Sequence, residues 1–143
     1  MKTNQRKNKT SPEQLVPSSI EGAEGRRRIL VIDDEKDILE LFTRVLKDYA
    51  VKTAENEKEA LAWVSKENFD IIFLDIIIPE VSSLELFKLL RKMSPKSKIM
   101  LMTGFAAEEE GNRALKLGAA GIMRKPFDHI DDIKCAAERL GRH

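Results

Sequence analysis

Ile71-Ile72-Phe73-Leu74-Asp75-Ile76-Ile77-Ile78-Pro79 is the stretch that decides the fold. An apolar run leads into one aspartate, three isoleucines follow, and a proline closes it. Phe and Ile favour strands, and an apolar run without alternation describes a strand covered on both faces, as in a parallel sheet. Proline cannot donate to a ladder, so the strand ends before Pro79. Asp75 is therefore expected near the carboxyl end of a buried central strand. A carboxylate there is costly unless a cation or hydrogen bonds receive it. It is either a loop cap or a functional group, and the rest of the chain decides.

Working outward, Ile29-Leu30-Val31-Ile32 is a short apolar strand ended by Asp33-Asp34-Glu35, and Asp34 or Glu35 can open the next helix. That helix is expected to carry Ile38, Phe42, Val45 and Tyr49 on one face, with Leu39 and Leu46 beside them. Val51 to Glu55 reads as a half-polar edge strand. Asn56 with Glu59 resembles a capping box. It opens a helix with Ala60, Leu61 and Val64 inward and Trp63 only partly covered. Beyond the central strand, Ser82 with Glu85 forms a second such pair ahead of Leu86, Phe87 and Leu90. Ser94-Pro95 ends that helix. Ile99-Met100-Leu101-Met102 is a fourth strand, closed by Thr103-Gly104. Glu108-Glu109-Glu110 sets acid at a helix N-terminus, where the dipole favours it. Gly111 weakens this helix and Gly118 ends it. Gly121 to Arg124 is a fifth strand, stopped by Lys125-Pro126-Phe127. Asp128 caps a last helix expected to bury Ile130, Ile133, Ala137 and Leu140. Five strands alternating with five helices imply an α/β fold: a parallel sheet with helices on both faces and right-handed crossovers.

The 143 residues suit one domain of ordinary size. The longest apolar run is broken by Asp75 and far too short to span a membrane. The polar N-terminus has no apolar signal core, which points to the cytoplasm. A single cysteine, Cys135, excludes an internal disulfide and a cysteine metal cluster, and its helical context suggests a small packing residue. Residues 1–28 are polar, hold seven Lys/Arg against three Asp/Glu, and read as a disordered tail. Arg26-Arg27-Arg28 reads as a solvated flank before a buried strand. The remaining residues, 29–143, hold 18 basic against 21 acidic side chains, a mildly acidic balance that argues against direct nucleic-acid binding by the domain.

Ligands of such sheets bind beyond the carboxyl ends of the strands. Strand one ends in Asp33-Asp34, strand three in Asp75, strand four in Thr103 and strand five in Lys125. Three carboxylates, a hydroxyl and an amine converge on one rim. Hard oxygen ligands suit Mg²⁺, and threonine and lysine can bond a phosphoryl group. The set at four strand ends favours the functional reading of Asp75.

These segments resemble the receiver domain of bacterial two-component response regulators. The likeness runs from about Ile29 to about Leu140. It is carried by Val31-Ile32-Asp33-Asp34-Glu35, Leu74-Asp75-Ile76-Ile77-Ile78-Pro79, Met102-Thr103-Gly104-Phe105, Leu115-Lys116-Leu117-Gly118-Ala119 and Lys125-Pro126-Phe127. The resemblance implies a doubly wound, flavodoxin-like sheet of order 2-1-3-4-5. It implies that Asp75 accepts a phosphoryl group from a sensor histidine kinase or a histidine phosphotransfer protein. Asp33, Asp34, Asp75 and the Ile77 backbone carbonyl would hold Mg²⁺, while Thr103 and Lys125 would bind the phosphoryl group. The output partner would meet the face made by helix four, strand five and helix five, on a monomer or weak homodimer without membrane contact.

The chain departs from the family pattern in places. Ser83 stands where glycine is common. Ile122 replaces the aromatic switch residue of strand five. Ile77 and Phe105, at positions that tune phosphoryl lifetime, are both apolar. An aspartyl-phosphate phosphatase needs an acid two residues after its nucleophile, where Ile77 stands. No glycine-rich nucleotide loop follows the first strand. A pseudo-receiver would have lost an acid or the lysine, and none is missing. With no output domain expected after the last helix, the reading spans a stand-alone regulator, a relay or phosphate-sink protein, or a piece of a hybrid kinase or longer regulator.

Overall fold

The computed structural model describes residues 26–76, 83–103, 108–125 and 130–141. The elements alternate: β1 (Arg28–Ile32), α1 (Lys36–Val45), β2 (Ala50–Ala54), α2 (Glu57–Lys66), β3 (Ile71–Asp75), α3 (Ser83–Met93), β4 (Lys98–Thr103), α4 (Glu108–Lys116), β5 (Gly121–Arg124) and α5 (Ile130–Gly141). All strand pairs are parallel, in the order β2-β1-β3-β4-β5. The doubly wound order is the one expected. All five residues of β3 are buried, as its unbroken apolar run requires. The two outer strands, β2 and β5, are mostly half-buried, and β2 carries the polar residues of an edge.

The pleat divides the core in two. Leu30, Ile32, Ile72, Leu74, Ile99 and Leu101 face α2, α3 and α4, meeting Ala60, Val64, Leu86, Phe87, Leu90 and Ala114. Their alternates Ile29, Val31, Ile71, Phe73, Met100 and Met102 face α1 and α5, meeting Leu39, Phe42, Ile133, Ala137 and Leu140. Each fully buried aliphatic or aromatic side chain contributes about 1.5–3 kcal/mol of transfer free energy, so these two layers dominate stability. Phe42 and Phe73 add an edge-to-face pair with ring centroids 5.0 Å apart.

Local signals set the ends of the helices. Asn56 accepts from the Glu59 N–H at 2.9 Å, and the Glu59 carboxylate reaches back to the Glu55 N–H at 2.8 Å, one residue before the usual capping-box donor. Trp63 is half-buried, donates to the Thr53 carbonyl at 3.0 Å and lies under the ammonium groups of Lys52 and Lys66. At the end of α4, the Ala119 N–H bonds Ala114 O and the Gly118 N–H bonds Leu115 O, a Schellman closure. Gly118 sits at φ +108°, and a Cβ there would also meet the Arg91 guanidinium at 2.7 Å. Ser82 and Asp128, the expected caps of α3 and α5, lie outside the described residues.

Three expectations about faces need correction. The buried stripe of the first helical segment is Leu39, Phe42 and Leu46, whereas Ile38, Val45 and Tyr49 are half-buried. The helix stops at Val45, so Tyr49 packs against this layer from the turn. In α5 the stripe is Ile133, Ala136, Ala137 and Leu140, and Ile130, the first residue of the helix, is 50% exposed. Cys135 is exposed and packs no core, because it lies about 200° around the helix from Ile133.

Gly111 is buried, and the space a Cβ would need is already taken by Ile122 Cδ1 at 3.1 Å and Ile76 Cδ1 at 3.3 Å. The glycine lets α4 approach β5 closely. Replacing glycine by alanine inside a helix ordinarily gains about 0.5–1 kcal/mol, and here crowding opposes the gain. Denaturant unfolding should show Gly111→Ala to be less favourable in the wild type than in an Ile122→Val background, by at least about 0.5 kcal/mol. Equal effects in both backgrounds would refute the contact.

Candidate functional site

Backbone hydrogen bonds carry the sheet one residue past its strands and so fix the rim. The Asp33 N–H donates to Ala54 O at 3.0 Å, Ile76 N–H to Met102 O at 2.9 Å and Lys125 N–H to Thr103 O at 2.9 Å. Side chains alternate across a strand. Asp33 continues the alternation of Ile29 and Val31, Asp75 that of Ile71 and Phe73, and Lys125 that of Met123, all of the α1/α5 layer. The same period therefore sends both carboxylates and the amine to one side.

There the Lys125 ammonium lies 2.8 Å from Asp33 Oδ2, 2.8 Å from Glu35 Oε1 and 3.4 Å from Asp75 Oδ2. Asp33 is fully buried and Asp75 nearly so. Asp33 Oδ1 accepts the Glu35 N–H at 2.8 Å. Its Oδ2 is within ion-pair distance of Lys125 but receives no aligned hydrogen bond, so a buried oxygen keeps acceptor capacity for a cation. Burial pushes the Asp33 carboxyl above the ordinary carboxylate range, and Lys125 and the Glu35 amide oppose that rise. Burial alone would lower the Lys125 ammonium, but Asp33, Glu35 and Asp75 outweigh it and hold the lysine above its usual range.

Asp34 is exposed at the same rim, and Asp33, Asp34 and Asp75 each offer an oxygen within 4.8 Å of the others. This donor set of three neighbouring carboxylates has the chemistry of a divalent-cation site. Thr103 closes β4 and is buried. Ile122 is half-buried against Gly111. Ile77 and Phe105 lie outside the described residues. Sequence reasoning missed Glu35 as a rim residue. Its signal was the third acid of Asp33-Asp34-Glu35, which reads locally as a helix opener.

Residues 29–137 match the family model of the response regulator receiver domain. The chain belongs to that family. It is 32% identical over 119 residues to the response regulator protein PilR of Pseudomonas aeruginosa, an alignment covering 80% of this chain and 27% of PilR. The chain thus spans about a quarter of that relative. The solved receiver domain of NtrX from Brucella abortus superposes with a TM-score of 0.73 at 31% identity, covering 78% of this chain and 96% of that one. A response regulator from Burkholderia pseudomallei, solved with a phosphorylated aspartic acid, a calcium ion and citrate, matches with a TM-score of 0.70 at 30% identity, covering 81% of this chain and 71% of that one.

Lys125 is the cation beside a buried acid, so its loss should be felt in stability. With divalent ions chelated, Lys125→Met should destabilise the receiver by about 1–3 kcal/mol at neutral pH, the cost of leaving a buried polar group without its partner. The sign of the pH dependence follows from Asp33. Its folded value is raised, so its contribution to stability is greatest below the ordinary carboxylate range and is lost as pH rises through the elevated value. The deficit of Lys125→Met should therefore shrink in acid. Denaturant melts across pH check this, and a deficit that grows in acid would contradict it.

Proposed function

We propose that this receiver domain accepts a phosphoryl group on Asp75 from a phosphohistidine of a sensor histidine kinase or a histidine phosphotransfer protein. The observation that carries the reading is the Lys125 ammonium 3.4 Å from Asp75 Oδ2, on a rim shared with Asp33. An Asp75 carboxylate oxygen attacks phosphorus, the donor's phosphorus–nitrogen bond breaks, and its electron pair leaves with the imidazole. The product is an acyl phosphate. Lys125 meets the charge on the phosphoryl oxygens, and Thr103 supplies a hydroxyl donor. Asp33, Asp34, Asp75 and the Ile77 carbonyl would hold Mg²⁺, which would supply further charge neutralisation. The phosphorylated aspartic acid of the Burkholderia relative supports the acceptor role, and its calcium ion supports a divalent cation in such a domain.

In this reading residues 29–143 form the receiver and 1–28 a polar tail, in a cytoplasmic protein that promotes only its own phosphorylation and dephosphorylation. Its output partner meets the α4–β5–α5 face of a monomer or weak homodimer. Ile122 has no ring to rotate, so the signal passes through displacement of α4, whose close seat on Ile122 is set by Gly111. The same isoleucine favours a second reading, a phosphate relay or sink with little output coupling. Ile77 and Phe105 carry no side-chain hydrogen-bonding group with which to position a water, which favours a long-lived acyl phosphate.

Incubation with acetyl phosphate and Mg²⁺ should add one phosphoryl group to the wild type by intact mass, and none to Asp75→Asn. Unchanged labelling of that variant would sink the assignment. Millimolar Mg²⁺ should also raise the melting temperature by ligand linkage, and Asp34→Ala should remove most of the gain. A wild-type melting temperature indifferent to Mg²⁺ would argue against the metal.

A further inference from the structure

Glu35 is the N-cap residue of α1, with extended backbone, yet its side chain makes no capping hydrogen bond. It crosses instead to Lys125 on the far side of the sheet, where Nζ donates to Oε1 at 2.8 Å. The ammonium has three acidic partners, and the two short contacts are to Asp33 and Glu35. Asp75, at 3.4 Å, is the distant one. The partners also differ in what release would cost. The Asp33 side chain is fully buried, and stripping it of its cation would strand a buried charge. The Glu35 side chain is 58% exposed and can turn to water. Glu35 is thus the partner Lys125 can surrender.

We propose that Glu35 is a positioning residue that restrains Lys125, so that a phosphoryl group on Asp75 must win the ammonium from Glu35. The inference rests on the reading of Asp75 as acceptor and adds a competitor to it. Phosphorylation then exchanges one ion pair for another, and Glu35 sets how readily the acyl phosphate gains its lysine. The helix opener following the two aspartates thereby tunes the strength of the phosphorylated state.

The test is calorimetric binding of beryllium fluoride, a phosphoryl mimic, at fixed millimolar Mg²⁺. Glu35→Gln removes the charge, and Glu35→Asp keeps the charge but shortens its reach. Both should bind about two- to fivefold more tightly than the wild type, the size of one exposed ion pair. The gain should fade at high salt, where such pairs are screened. Asp37→Asn removes another exposed acid of the same helix, one without an ion pair to Lys125 among the described residues, and should bind as the wild type does. Wild-type binding that the Glu35 variants leave unchanged overturns the restraint alone. An equal gain in Asp37→Asn also overturns it, by reducing the effect to net charge. Failure of the wild type to bind beryllium fluoride overturns the acceptor reading, and the restraint with it.

Discussion

Two buried carboxylates, Asp33 and Asp75, lie at the end of a parallel sheet and share one ammonium. Removing charges from water costs several kcal/mol each unless a counterion receives them. That constraint orders the rest of the site. The lysine is carried by β5, and in the order β2-β1-β3-β4-β5 it must pass the end of β4 to reach β3 and β1. The long flexible stem of lysine suits that span, where a compact point charge is needed among several oxygens. Asp33, Asp75 and Lys125 meet because they share one pleat parity, fixed by the backbone bonds that extend each ladder past its strand.

The same parity builds the core. Residues one step away from the rim set turn to opposite layers, so the sheet that aims the charges also buries the apolar side chains that hold it rigid. Rigidity matters because charged groups that act together do so by position. The electrostatics remain unbalanced, with Asp33, Glu35 and Asp75 paired to Lys125 and Asp34 beside the two aspartates. A rim with surplus negative charge and buried carboxylate oxygens is suited to a divalent cation.

Much of this was legible in the chain. The unbroken apolar run of β3 announced a strand covered on both faces, and the alternation of strands and helices announced a doubly wound sheet. Asp33, Asp75, Thr103 and Lys125 stood at strand ends, where fold-level rules place ligands. Side-chain direction was harder to read. Glu35 looked like a helix opener, because a contact spanning 90 positions leaves no local trace. Cys135 lies off the buried face of α5, whereas Ile130 is in phase with Ile133 and Ala137 but stands at the first position of the helix, where the core no longer covers it. Ile122 was visible as a missing aromatic ring. Its packing against Gly111 was not, since it depends on how closely α4 approaches β5.

The central claim is that this shared rim directs a phosphoryl group to one carboxylate among several. Borohydride reduction of the acetyl-phosphate-treated protein, followed by peptide mass mapping, tests it most directly, because reduction converts an aspartyl phosphate to homoserine where it stands. The account predicts homoserine at position 75 alone. Homoserine at position 33 or 34, or its absence from a protein that has taken up phosphate, would contradict it.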